Sequence, residues 1–299
     1  MKKLFLSAIL ITFLFSCKEK ENAITIRVPE SLASLPLLQL NGTIINHKKI
    51  RIEYFTDHMS AAAETLQGGS QLIFTGFELG VNMHRQNPEF IHITTPVWGL
   101  SSVVTGQNKI EKLSDLSGKK IMLPFAGSPL DVQMRHIIKK KDIRNVQFDY
   151  TGFNQAAQLL ISGKVSAVCV PEPLATMLVK KNNMKRLALI AELWRETSGS
   201  TDAPQVSLFS TTKFTNQNKE FMQILINKIN SEVISLNQGN INLHPYENEF
   251  GLERNIIEDA LKNILFKNLS YKASKLEINS YTSVLGKKEL PDSFFYVYE

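Results

Sequence analysis

Metal-binding and cofactor-binding motifs are missing from this sequence, which has only two cysteines and six histidines in 299 residues. No His-Glu-x-x-His motif occurs, and no histidine pair at helical metal spacing has a third ligand nearby. Gly68-Gly69 is typical of a helix end and does not form a phosphate-binding loop. The sequence also lacks a nucleophile with a recognisable base. We therefore expect no metal, no other cofactor and no catalytic centre.

A basic surface for nucleic acid is also missing. The formal net charge is +6, but lysines and arginines are interspersed with acidic residues and form no stripe with aromatic residues. Apolar residues make up 43% of the chain and charged residues 21%, which is typical of a folded protein. The length suits one large domain or two of ordinary size. The composition indicates a globular protein that does not bind nucleic acid.

The amino terminus contains a targeting signal. Lys2 and Lys3 precede the apolar run 4–15, which has 12 residues. A helix needs roughly 20 apolar residues to cross a bilayer, so this run is too short to be a stable span. A positive start followed by a short apolar run is the pattern of a signal peptide.

The end of this signal resembles that of a bacterial lipoprotein, since Leu14, Ser16 and Cys17 stand where that family has its cleavage motif. The resemblance implies a signal peptide over 1–16, acylation of Cys17, and a short tether over 17–22. It also implies export and lipid anchoring to a bacterial membrane, on its periplasmic or cell-surface face. The alternative is an ordinary signal peptide with an incidental cysteine. If Cys17 is acylated, Cys169 has no disulfide partner, and its apolar surroundings indicate a buried core residue.

Strands and helices alternate along the rest of the chain, which predicts an α/β fold with mostly parallel sheets. The predicted strands are 24–28, 50–55, 71–75, 90–94, 99–105, 120–123, 146–150, 165–170, 186–191 and 206–210. The predicted helices are 31–40, 60–67, 77–85, 129–140, 155–162, 172–181, 213–238, 253–265 and 274–286. A polar segment, 106–118, separates a first α/β unit from a second, and 194–204 reads as an irregular break.

The carboxyl-terminal helices have no sheet of their own, so their apolar faces need a partner surface. We expect them to return to the first unit. This gives two lobes: 23–105 together with 201–299 forms the first, and 106–200 forms the second. Two crossing segments, near Thr105 and near Ala203, would join them. Such a layout is typical of a protein that closes around a ligand.

Polar groups follow two strands of the second unit. Ser128 and Pro129 suit the start of a helix, where free N–H groups attract an anionic or acceptor-bearing ligand. Glu172 stands between two prolines after the next strand. Ser128 could cap its helix alone, and Glu172 could be a first-turn residue stabilised by the helix dipole. We name both as candidate ligand contacts.

The first unit offers further candidate contacts at its strand ends: Ser31, Leu32, Thr75, Gly76, Phe77, Thr95 and Trp98. Phe77 or Trp98 could stack on a flat ring or belong to the core. Asp202, near the return crossing, could serve the cleft or a turn. Glu78 and Glu172 together would favour a cationic or donor-rich ligand over a bare anion.

Several short segments resemble the solute-binding proteins of ABC importers for nitrate, taurine, alkanesulfonates and thiamine-pyrimidine precursors. They are 113–121, Gly127-Ser128-Pro129, 162–167 and Glu172-Pro173. The resemblance implies a two-lobed type II periplasmic-binding-protein fold that closes over a small molecule and passes it to a membrane permease. We expect a monomer. The chain departs from the family at Ser166 and Gln71, where an aspartate is frequent.

Two other functions fit the same expected fold. One is an enzyme resembling those of menaquinone biosynthesis, acting on a small carboxylated substrate. The other is a ligand sensor without a transport role. Export argues against the enzyme, because such substrates are cytoplasmic, so we expect a binding protein.

Overall fold

The computed structural model describes residues 23–106, 110–199 and 201–298. The predicted signal peptide, the tether and the predicted lipidation site Cys17 lie outside these described residues. Within them, none of the helices combines the length and the apolar composition required to cross a membrane.

The strands follow the predicted alternation closely. They are β1 Ala23–Pro29, β2 Ile44–Ile45, β3 Lys48–Phe55, β4 Leu72–Gly76, β5 Phe90–Gly99, β6 Ser101–Thr105, β7 Lys120–Leu123, β8 Gln147–Tyr150, β9 Ala167–Pro171, β10 Lys185–Leu189, β11 Val206–Thr211 and β12 Leu265–Phe266.

The helices lie between these strands and at the carboxyl end. They are α1 Leu35–Leu38, α2 His58–Leu66, α3 Phe77–Gln86, α4 Pro129–Lys140, α5 Phe153–Ile161, α6 Leu174–Lys181, α7 Ile190–Ser198, α8 Thr212–Gln217, α9 Lys219–Asn237, α10 His244–Phe250, α11 Arg254–Leu261 and α12 Tyr271–Val284. Short 3-10 turns occur at Leu32–Ser34, Leu113–Leu116 and Asp292–Phe294. The predicted helix 213–238 is divided at Asn218 into α8 and α9.

Lobe one is built on a seven-stranded sheet of order β12-β5-β11-β4-β1-β3-β2. β1 is parallel to β3 and to β4, whereas β11 runs antiparallel to both β4 and β5. Every residue of β5 is buried, as expected of a strand covered on both faces. The apolar stripe of α9, from Phe221 to Val233, lies in the core on one face of this sheet.

Lobe two is built on a five-stranded sheet of order β10-β6-β9-β7-β8. β7 is parallel to β8 and β9, and β6 is antiparallel to β9 and β10. The helices α4, α5 and α6 follow β7, β8 and β9 in the chain. Their first turns therefore lie at the carboxyl edge of this sheet, where ligands bind in open α/β folds.

The first crossing between the lobes differs from the predicted one. The predicted strand 99–105 was assigned to lobe one, but β6 pairs with β9 along its whole length, from Ser101 opposite Pro171 to Thr105 opposite Ala167. The chain therefore crosses at Leu100. An apolar strand carries no sequence signal for which of two sheets it joins, because either sheet would bury it.

The return to lobe one runs through α7, where we had predicted a strand to 191 and then an irregular break. Ile190, Leu193 and Trp194 are buried along one face of α7, and the helix ends at Gly199 with φ +78°. The polar composition of 194–204 obscured this helical spacing. A left-handed C-cap glycine is the usual end of a helix, so this signal was present in the sequence.

Candidate ligand-binding site between the lobes

The carboxyl edges of the two sheets meet beside Gly76 and Pro129. A Cβ atom added to Gly76 would lie 3.5 Å from Cγ of Pro129 in lobe two and 4.0 Å from the carbonyl oxygen of Gln205. The lobes are therefore in contact here. The structure brings together the predicted groups Thr75, Gly76 and Ser128, which stand at the ends of β4 and at the start of α4.

Thr75 has a partner that the sequence did not predict. Its Oγ1 lies 3.0 Å from Nδ1 of His58, the first residue of α2, and the Phe55 ring packs edge-on against the imidazole. Burial lowers the pKa of His58 to about 4, so the ring is neutral at neutral pH. The available signal was the position of His58 directly after β3, at the same sheet edge as Thr75.

Ser31 and Leu32 follow β1 at the same edge. The Ser31 hydroxyl accepts a hydrogen bond from the Ala33 amide at 3.1 Å and so caps the 3-10 turn Leu32–Ser34. Leu32 is fully buried, whereas Ser31 is half-buried. Ser31 is thus placed to contact a ligand, and Leu32 is placed in the core of lobe one.

Thr95 lies in a buried polar cluster within lobe one. Its Oγ1 lies 2.7 Å from Nε2 of His92 and 2.7 Å from Oγ of Ser207 on the neighbouring strand. Burial lowers the pKa of His92 to about 3, so this cluster is neutral. The Thr95 hydroxyl is therefore already engaged between β5 and β11.

The two candidate stacking rings also lie in the interior. Phe77 is fully buried and packs edge-on against His92, Tyr281 and Phe294. Trp98 is 1% exposed, its indole N–H donates to the Thr95 carbonyl at 2.7 Å, and Nζ of Lys267 lies 5.1 Å above the ring. Stacking on a ligand would require either ring to be uncovered.

In lobe two, Ser128 caps α4. Its Oγ accepts from the Asp131 amide at 3.1 Å, and the Asp131 carboxylate accepts from the Gly127 amide and the Tyr150 hydroxyl at 2.8 and 2.9 Å. Arg135 Nε also donates to Asp131, at 2.8 Å. The negative charge of Asp131 in this first turn is thus paired with Arg135, so it opposes an anionic ligand at the positive helix end less than a free carboxylate would.

Glu172 is fully buried, and its carboxylate is paired with a cation. Arg186 Nη1 donates to Oε1 at 2.6 Å, and the Thr176 amide in α6 donates to Oε2 at 3.0 Å. Arg186 also donates to the hydroxyls of Ser102 and Thr176. Burial raises the pKa of Glu172, although Arg186 opposes that effect. Sequence reasoning missed Arg186, because the pairing of β10 with β6 that places it beside Glu172 is a property of the tertiary structure.

Glu78 is paired in a similar way. It accepts from the Tyr281 hydroxyl at 2.7 Å and from Lys287 Nζ at 3.0 Å. Each carboxylate already has its counter-charge within its own lobe, so the structure gives no support to the expectation that Glu78 and Glu172 together favour a cationic ligand.

Asp202 joins the return crossing to lobe one. Arg195 of α7 and Lys267 after β12 both pair with its carboxylate, and its amide donates to Glu277 at 2.6 Å. Burial disfavours the charged form, but Arg195 and Lys267 outweigh it and lower the pKa of Asp202. The structure thus places Asp202 in a cluster of ion pairs where the chain returns to lobe one.

In the part of the chain that the structure describes, no three His, Cys, Asp or Glu side chains come together as a metal site. The Cys169 thiol is free and buried, and burial raises its pKa. A protonated, inaccessible thiol is a poor nucleophile.

Comparisons with known proteins rest on structure. No family model and no curated protein matches the sequence. The chain is similar to an ABC transporter protein from Parabacteroides distasonis, at 13% identity and TM-score 0.72, over 93% of this chain and 100% of that one. It is also similar to the alkanesulfonate-binding protein SsuA from Xanthomonas axonopodis pv. citri, at 16% identity and TM-score 0.71, over 92% and 98%.

A third similar structure is the ligand-binding component of an ABC-type import system from Staphylococcus aureus, at 13% identity and TM-score 0.73, over 92% of this chain and 96% of that one. Each of these alignments covers more than nine-tenths of this chain. At such identities the likeness concerns the fold. The chain has the two-lobed fold of periplasmic binding proteins.

Proposed function

We propose that this protein is the exported, lipid-anchored substrate-binding protein of an ABC importer. It holds a small molecule between its lobes and delivers that molecule to a membrane permease. The observation that carries the proposal is the meeting of the two sheet edges at Gly76 and Pro129, beside the crossings at Leu100 and after α7. The structural neighbours from transport systems support the same role.

The mechanism is closure of the lobes over the ligand. Near the crossings, a Cβ on Gly99 would lie 2.6 Å from Cβ of Ala191, so the chain passes tightly against α7 at the hinge. A micromolar ligand needs about −8 kcal/mol of binding free energy. A single hydrogen bond contributes about 1 kcal/mol, so enclosure between both lobes supplies much of the remainder. The closed, loaded form is the state that a permease would accept.

We propose Ser31, Thr75, Gly76 and Ser128 as the groups nearest to the ligand, because they lie where the two sheet edges meet; Thr75 and Ser128 are buried in this arrangement and become accessible when the lobes open. Ser31, Thr75 and Ser128 carry hydroxyl groups, while Gly76 permits close approach of the backbone. The first turns of α4, α5 and α6 add helix N-termini at the same edge. Such ends favour acceptor-bearing groups on a ligand.

Native mass spectrometry of the purified protein, followed by a thermal-shift screen, tests the proposal. The panel spans sulfonates, pyrimidines, flavin precursors and small oxyanions. A true ligand at 100 times its Kd adds about 2.7 kcal/mol of stability, which is easily measured. A panel compound that is converted into a product would replace the transport role with an enzymatic one. No stabilisation by any class would count against the proposal.

The lipid anchor is tested separately with Cys17→Ser. We expect the wild-type protein in the membrane fraction of a bacterial host, because acyl chains supply the membrane affinity. The Cys17→Ser variant should appear in the soluble exported fraction. Cys169→Ser is the matched control, since that thiol is buried. If both variants fractionate like the wild-type protein, Cys17 is not the site of the lipid anchor.

A further inference from the structure

Helix α6 of lobe two lies against helix α11 of lobe one, although each helix belongs to a different core. Ala175 and Leu178 place α6 in the apolar cluster of the second sheet, and Ile257 and Ala260 place α11 in that of the first. The two helices therefore meet through their polar surfaces. A polar contact between two complete cores can open without exposing either core.

Two ion pairs make this contact. Lys181 Nζ lies 2.9 Å from Oε1 of Glu253, and Lys180 Nζ pairs with the carboxylate of Asp259. Lys262 also contacts Asp259, at 2.6 Å. We call Lys180, Lys181, Glu253 and Asp259 the interlobe latch.

Three of the four latch residues also suit their own helices, whereas Asp259 lies in the last turn of α11, where Lys262 pairs with it. Lys180 and Lys181 lie in the last turn of α6, and Glu253 is the N-cap of α11. Cations near a helix C-terminus and anions near an N-terminus stabilise the helix. Both helices therefore remain stable when the lobes separate and the ion pairs between them break, which a reversible contact requires.

The latch is charged at physiological pH. Lys180 and Lys262 lower the pKa of Asp259 to about 2, and Lys181 lowers the pKa of Glu253. The lysine side chains are 40% and 47% exposed, so the pairs are screened by salt. Exposed pairs of this kind each add only a small stabilisation. This is enough to bias a two-state equilibrium without locking it.

The opposite end of α6 touches the candidate binding edge. Thr176, in its first turn, bonds to both Glu172 and Arg186. Helix α6 therefore connects the strand end after β9 with the latch through one short rigid element. Movement of lobe two about the crossings shifts both ends together.

We propose that the arrangement of the lobes in this structure, with the sheet edges in contact at Gly76 and Pro129, is the closed one, and that the interlobe latch stabilises it and makes closure dependent on ionic strength. This inference rests on the proposed hinge-closing function and adds a regulatory contact outside the binding site. It predicts that the protein without ligand opens as salt rises, because screening weakens both pairs.

Electron–electron distance measurements between spin labels at Met59→Cys and Asn154→Cys test the latch without any ligand. Both positions are exposed and follow strands at the facing edges of lobe one and lobe two. The full chain carries Cys17→Ser so that only the introduced thiols react, since Cys169 is buried. We expect the fraction at the short distance to fall about threefold between roughly 20 mM and roughly 500 mM salt.

Charge reversal gives the decisive comparison. Lys181→Glu and Glu253→Lys alone should each lower the short-distance fraction about threefold at low salt, and their combination should restore it. Lys120→Glu is the control, because Lys120 pairs with Asp149 within lobe two at 2.7 Å. Unchanged distances in both single variants would overturn the latch. The proposed function is decided separately by the ligand panel, and a stabilising ligand would leave it standing if the latch failed.

Discussion

Two regions near the binding edge, one in each lobe, hold their buried polar groups differently. In the histidine contacts of lobe one the partners are neutral: His58 bonds to Thr75, and His92 bonds to Thr95, although the same lobe also buries the ion pair of Glu78 with Lys287. In lobe two, Glu172 is buried as one half of an ion pair with Arg186. A neutral hydroxyl–imidazole contact needs only its hydrogen bonds, whereas a buried charge needs a counter-charge as well. The lobes should therefore respond differently to mutation and to pH.

The pH responses have opposite signs. The pKa of His58 and of His92 is lowered on folding, so their contribution to stability is complete above about pH 6.5 and is lost as the pH falls. The pKa of Glu172 is raised, so its contribution is complete below its unfolded pKa and is lost as the pH rises through its folded pKa. Acid should thus weaken the histidine contacts of lobe one before it affects the buried Glu172 site of lobe two.

The largest effect is expected from breaking the charged pair of lobe two. Arg186→Met leaves Glu172 buried without a counter-charge, which should lower the free energy of unfolding by about 3–5 kcal/mol in urea titrations. Glu172→Gln combined with Arg186→Met removes both charges and should recover most of this loss. If the double variant is no more stable than the single one, the ion pair does not explain the role of Arg186.

A substitution that overfills the core of lobe one should lower the free energy of unfolding by nearly as much. A Cβ on Gly80 would lie 2.0 Å from Cζ of Phe209, a fully buried ring, so Gly80→Ala should lower stability by about 3 kcal/mol. Gly152→Ala in lobe two has open space and is the matched control, with an expected loss below about 1 kcal/mol. Phe209→Leu should partly rescue Gly80→Ala. Equal losses at the two glycines would contradict this account.

The neutral cluster of lobe one can be tested by pH. His58→Asn keeps a polar group beside Thr75 but cannot titrate. The free energy of unfolding that is lost between pH 7 and pH 4.5 should therefore be smaller in this variant, by on the order of 2 kcal/mol. His244→Asn is the control, because His244 also begins a helix but is exposed. An unchanged pH profile in His58→Asn would show that its burial does not govern acid stability.

The smallest effect is expected at an exposed pair. Lys120→Ala breaks the contact with Asp149 on the surface of lobe two and should change the free energy of unfolding by less than about 1 kcal/mol. The contrast with Arg186→Met isolates burial as the reason for the large loss. A comparable loss in both variants would mean that charge alone, and not burial, determines the result.

Much of the fold was readable from local patterns. The alternation of strands and helices, the cap at Ser128 and the strand ends at Thr75 and Pro171 all depend on neighbouring residues. The assignment of β6 to lobe two and the contacts of His58 with Thr75 and of Arg186 with Glu172 depend on how the elements pack together. The burial of the candidate rings Phe77 and Trp98 inside lobe one depends on tertiary packing, which no short stretch of the sequence reveals.

The sequence by itself determined the type and order of the elements, because helix and strand periodicity and capping are local properties. Only the tertiary structure decided which sheet each strand joins, which buried charges are paired, and which helices meet between the lobes. These depend on contacts such as Glu172 with Arg186 and Lys181 with Glu253, and the second of these spans 72 residues along the chain. An ion pair stabilises whichever two charges the fold brings together, so its identity follows from the packing of the sheets.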